Sequence, residues 1–131
     1  MQPEYSDSAM DDFLARVQQQ SGLTSREEAD QVTRATLTAL GERISGGQMS
    51  DLAALLPRQL TPEVEHGRGQ AKSFDKGAFL DRVSGDIGTT DLDAVERETR
   101  GVLRTLQEWA PEGEVDNTLA QLPPELAGMF E

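Results

Sequence analysis

The pentapeptide FLARV at residues 13–17 returns as FLDRV at residues 79–83. Sliding the chain against itself by the distance between them aligns residues 13–65 with residues 79–131 without a gap. Identities then run from end to end, including Phe13/Phe79, Arg16/Arg82, Gly22/Gly88, Thr33/Thr99, Arg34/Arg100, Leu37/Leu103, Leu40/Leu106, Glu42/Glu108, Pro57/Pro123 and Leu60/Leu126. A fixed period of this kind reads as a tandem duplication of one supersecondary unit that cannot bury its apolar face alone. The units are placed at residues 8–65 and 74–131, joined by a polar, glycine-bearing linker at residues 66–73.

The spacing inside each unit says helix. Met10, Phe13, Leu14 and Val17 recur on one face, and Gly22 supplies a stop. Ser25, with Glu28 three residues on, is the start signal of a second helix. Its apolar stripe comprises Ala29, Val32, Thr36, Leu37, Leu40 and Ile44, and the expected end is Gly46 and Gly47. The second unit repeats the stripe as Leu92, Val95, Thr99, Val102, Leu103, Leu106 and Trp109 before Pro111. Two shorter helices follow in each unit: SDLAALL and DNTLAQL are broken by Pro57 and Pro123, and a last turn carries Leu60 and Val64, or Leu126, Met129 and Phe130. The expected fold is therefore all-α, with two longer and two short helices per unit. Each unit alone has a marginal core, so the two are expected to pack face to face as one domain with pseudo-twofold symmetry.

Composition removes several function classes. The 131 residues contain no cysteine, which excludes disulfide scaffolds and thiolate metal sites, and a single histidine, His66, in a Gly-rich stretch, which removes histidine-cluster metal sites and argues against a histidine-based triad. No apolar run is long enough to span a bilayer, and the N-terminal residues lack a basic segment followed by an apolar one. The expected compartment is the cytoplasm. A net charge of −12 opposes direct nucleic acid binding and attachment to anionic membranes, and favours basic partners.

Five side chains stand out as candidates for inter-repeat or interaction roles: Arg16, Arg82, Arg34, Arg100 and Trp109. Arg34 and Arg100 each lie four residues after an acid, Asp30 and Glu96. That spacing reads first as a helix-surface ion pair, and second as a symmetric anion-binding pair where the units meet. Arg16 and Arg82 interrupt apolar turns, so their methylenes should line the core rim while their guanidiniums pair with an acid such as Glu42 or Glu108. Trp109 reads as a core-edge ring or as an exposed anchor for a partner. The paired acids at Asp11/Asp12, Asp91/Asp93 and Glu112/Glu114/Asp116 look like helix-start residues, and neither glycine-rich stretch has the ending of a phosphate loop. No catalytic residue, cofactor site or metal site is assigned.

These motifs resemble one bacterial family, catalogued as domain of unknown function 2267. The resemblance rests on FLARV, Glu27 and Glu28, Thr33-Arg34 with its Leu-x-x-Leu centre, Gly46-Gly47, and the Leu-Pro-x-x-Leu close at residues 56–60. It implies an all-helical protein and carries no catalytic residue over. The expected function is a non-catalytic protein-interaction or scaffold module that binds another protein or a second copy of itself. Two other readings stay open: an acidic decoy for a basic nucleic-acid-binding protein, and a small-molecule binder or enzyme with a site between the units near Arg34 and Arg100.

Overall fold

Two glycines set the first turn of each half. Gly22 and Gly88 take φ of 82° and 75°, the left-handed region that a side chain resists. Each follows directly on a helix, so the chain reverses there. The structure, a computed structural model, describes residues 4–44, 46–60, 75–110 and 112–130. Among these residues the chain is all-helical, without strands. The helices are α1 (Glu4–Ser21), α2 (Arg26–Arg43), α3 (Gly46–Ala53), α4 (Lys76–Ile87), α5 (Leu92–Trp109), α6 (Glu112–Ala120) and α7 (Pro124–Ala127). Single 3-10 turns lie at Arg58–Leu60 and Gly128–Phe130. Val64 and the linker fall outside the described residues.

Local signals act as the sequence predicts at most ends. The Ser25 side chain accepts the backbone N–H groups of Glu27 and Glu28 at 3.1 and 3.2 Å, capping α2. Asp75 and Asp91 do the same for α4 and α5, accepting from Ala78 at 3.0 Å and Ala94 at 3.2 Å. One expected stop is wrong. Gly46 and Gly47 do not end α2; they begin α3, while Ile44 leaves the helix in extended backbone. The reason is burial: Ile44 is fully enclosed by the core, and the chain turns to put it there.

One apolar cluster holds the helices together. Phe13, Leu14 and Val17 of α1 and Phe79 and Val83 of α4 are buried in it with Leu37 and Leu40 of α2 and Leu103 and Leu106 of α5. Leu52, Leu60, Leu126, Met129 and Phe130 close its ends. Each such side chain contributes about 1.5–3 kcal/mol when fully buried. Leu92 departs from the expected stripe, at 46% exposure on the first turn of α5. The packing order is crossed. α1 lies chiefly on α5, and α4 lies chiefly on α2, so the first helix of each half rests on the long helix of the other. α2 and α5 also touch, as do α3 and α6.

Candidate functional site

The crossed packing decides the partners of Arg16 and Arg82. Arg16 on α1 grips Glu108 on α5 with two hydrogen bonds, Nε to Oε1 and Nη2 to Oε2, both 2.7 Å. Gln20 adds a third at 3.1 Å. Arg82 on α4 donates through Nε to Glu42 Oε1 on α2 at 2.8 Å. Both arginines thus find the expected acids, but each finds the one in the other half. The pairs sit at the rim, with the Arg16 side chain 44% exposed, because the helices meet edge-on to solvent there. The bonds from Arg16 hold the Glu108 carboxyl below its ordinary range, and Glu108 in turn raises Arg16.

Arg34 and Arg100 are not brought together. Arg34 bonds Asp30 at 3.0 Å and the Gln59 carbonyl at 3.0 Å, tying α2 to the 3-10 turn after it. Arg100 bonds Glu96 at 3.0 Å through Nη2 and reaches the Gly128 carbonyl at 3.4 Å. Glu96 also receives Lys76 at 2.9 Å, and these two donors, Lys76 first, lower its pKa. Each arginine therefore borders its own groove on the outer face of its long helix. The groove at Arg34, about 300 Å³, is lined by Asp30, Gln31, Ala35, Thr38 and Asp86. The groove at Arg100, about 360 Å³, is lined by Gln20, Asp93, Glu96, Arg97 and Arg104.

The space between the halves carries acids instead. A cavity of about 210 Å³ where α2, α4 and α5 converge has Leu23, Val32 and Ile87 on its apolar side and Glu28, Asp91 and Glu98 on its polar side. Burial pushes the Glu98 carboxyl up, Arg97 partly opposes this, and Glu28 and Asp91 add to it. Elsewhere between the halves, buried Gln48 of α3 donates to Thr118 Oγ1 at 2.9 Å and to Glu114 Oε2 at 3.2 Å on α6. Gln48 and Glu114 occupy matching positions when the chain is aligned with itself.

Trp109 lies at the core edge. Its ring meets Phe13 edge to face, with centroids 5.2 Å apart and planes at 69°. Its other side borders a groove of about 330 Å³ with Ala9, Leu55, Pro57 and Arg58. The groove combines Trp109 of the second half with Leu55 and Arg58 of the first, and their counterparts are Arg43, Gln121 and Pro124, so the matching place on the molecule lacks these side chains.

Sequence reasoning missed Arg97, Arg104 and Glu98. The signal for the arginines was present in ERETRGVLR, where three of them recur at helical spacing, but the repeat drew attention to matching positions and these two have no match. Among the described residues no group of three or more His, Cys, Asp or Glu is placed to hold a metal ion. No helix among them is long and apolar enough to cross a membrane. No curated protein matches the chain. The model of the family DUF2267, described as an uncharacterised conserved protein, matches residues 10–129, and the chain belongs to that family.

Proposed function

We propose that the chain is a tandem duplication with pseudo-twofold symmetry that serves as a non-catalytic protein-interaction module in the cytoplasm. Two observations support the symmetry. The pair Arg16–Glu108 becomes Arg82–Glu42 when the aligned halves are exchanged. Gln48 touches its own counterpart, Glu114, as residues near such an axis do.

The observation that carries the interaction reading is the partly buried Trp109, whose ring borders a groove with Leu55 and Pro57. A tryptophan held rigid by a buried ring loses little entropy on binding and offers a large apolar face, the usual properties of an interface anchor. The occupant is a segment of a partner protein that lays an apolar side chain on the indole and sets an acidic one against Arg58, which is exposed at the groove rim.

Two exposed alanines, counterparts in the alignment, make the test internal to one molecule. Ala54 borders the groove and Ala120 stands at the matching place in the other half. A photo-crosslinking benzoylphenylalanine at position 54 should capture one identifiable protein in cells, and the capture should vanish on adding Leu55→Gln. The same group at position 120 should capture none. Equal capture at both positions, or capture only of further copies of the chain, removes the reading. With the captured partner purified, emission of the sole tryptophan should shift on binding.

A further inference from the structure

We propose that the groove on α5 bordered by Arg97, Arg100 and Arg104 is a binding site for a phosphate monoester. Residues spaced three and four apart share one face of a helix, so these three guanidiniums project from a single ridge. Arginines this close repel one another and work against the helix that carries them. The other half avoids the conflict, because Gln31, Arg34 and Thr38 occupy the matching positions. Three cations here face two acids, Asp93 and Glu96, a local excess of basic charge in a chain with 24 acidic and only 12 basic side chains.

The middle arginine is already oriented. Glu96 holds it by Nε at 3.2 Å and by Nη2 at 3.0 Å, and the Gly128 carbonyl takes Nη1 at 3.4 Å. Lys76 supports Glu96 from α4, so three charged groups, Lys76, Glu96 and Arg100, meet at one place with a fixed geometry. Arg97 is 63% exposed, and its nearest acid, Glu98, is 3.9 Å away, beyond hydrogen-bond distance. Its donors face solvent and can turn toward a ligand. Gln20 of α1 borders the same groove and closes its side.

The ligand class follows from donor geometry. A carboxylate is satisfied by one guanidinium fork, whereas a phosphate monoester offers three terminal oxygens and two charges to several forks at once. An anion among the three arginines would also cancel the repulsion between them. Asp93 and Glu96 border the groove too, so they disfavour an extended polyanion and leave room for a compact anionic head on a neutral or cationic body. The volume of about 360 Å³ suits a phosphorylated side chain or a small phosphate ester. This site is separate from the Trp109 groove, and neither proposal needs the other.

Titration calorimetry and phosphorus NMR on the full chain at low salt can test it, with inorganic phosphate, free phosphoserine and a phosphoserine peptide as probes. The unphosphorylated peptide and hexaglutamate are the controls. Binding of the phosphate probes is expected, weakened at least tenfold by Arg97→Gln with Arg104→Thr, while helix content stays unchanged. The reciprocal variant, Gln31→Arg with Thr38→Arg, should create a second site and double the stoichiometry. Tighter binding of the peptide than of free phosphoserine identifies a phosphorylated protein as the source; equal binding identifies a small ester. No binding by any phosphate probe, unchanged binding in the Arg97→Gln/Arg104→Thr variant, or a preference for hexaglutamate overturns the assignment.

Discussion

The contact of α1 with α5 and the contact of α4 with α2 use matching positions of the two halves, yet they differ in closeness. At the first, Gly101 meets Ser21 so tightly that an added Cβ would lie 2.7 Å from the Ser21 Cβ and 3.0 Å from its Cα and N. At the second, the matching residues are Ala35 and Ile87. Ala35 already carries the Cβ that Gly101 lacks, so an equally close approach is sterically closed, and Ile87 borders the cavity that remains. Two small residues bring helices into contact; one methyl and one branched side chain hold them apart. The same fold thus has a tight, well-bonded side and an open side where Glu98 is half-buried among acids.

Removing the aromatic ring on the tight side should break the comparison most. Phe13→Ala is expected to cost about 3–5 kcal/mol in chemical denaturation. A double-mutant cycle with Trp109→Ala should assign about 0.5–1.5 kcal/mol of that loss to the edge-to-face contact of Phe13 with Trp109. If the cycle returns zero, the edge-to-face pair contributes nothing to the tight side. Next comes Gly101→Ala. It gains helix propensity of about 1 kcal/mol but forces backbone apart at Ser21, at a cost of about 1–3 kcal/mol, for a net loss or no change. A clear gain in melting temperature would mean that the close approach is not rigid. Ala35→Gly, the reverse exchange on the open side, should lose about 0.5–1 kcal/mol without closing the gap.

Thr33 and Thr99 probe where the halves agree. Both hydroxyls are enclosed, and neither has a hydrogen-bond partner among the described residues. Thr33→Val and Thr99→Val should each raise stability by about 1 kcal/mol, read as a higher urea midpoint at constant slope. A loss at either position would reveal a hydrogen bond that matters.

The smallest effects are electrostatic. A double-mutant cycle on Arg82 and Glu42 should return about 0.2–1 kcal/mol, while the coupling of the more exposed Arg16 and Glu108 should be the first to vanish as salt rises. Glu98→Gln tests the open side through pH. The folded pKa of Glu98 is raised, so the cost of ionising it in the fold is absent below the unfolded value near 4.5 and grows as pH rises through the folded value. Glu98→Gln should therefore be more stable than the parent at neutral pH and lose that advantage toward pH 4. Glu96 and Glu108, both lowered, act in the opposite sense: their contribution is present above the unfolded value and is lost as pH falls.

Much of the fold was legible because its signals are local. Stripe spacing, the caps at Ser25 and Asp91, and the glycines at 22 and 88 each need only a few neighbouring residues to act. Gly46 and Gly47 misled because a glycine is a stop only where the chain adopts positive φ, and the anchoring of Ile44 ended α2 before them. The Arg97–Arg100–Arg104 ridge was visible as spacing, but not as a groove. Gln20 and the Gly128 carbonyl come from distant parts of the chain.

The sequence by itself determined that this protein is helical, where α2 and α5 begin and where α1 and α4 end, and that Phe, Leu and Val of the two pentapeptides face inward while their arginines stay at the rim. Tertiary structure alone decided which half each arginine grips. Glu42 and Glu108 are the same residue at matching positions, so spacing and chemistry favour them equally. Only the crossed packing of α1 on α5 and α4 on α2, with the close fit of Ser21 on Gly101, brings Arg16 within 2.7 Å of Glu108.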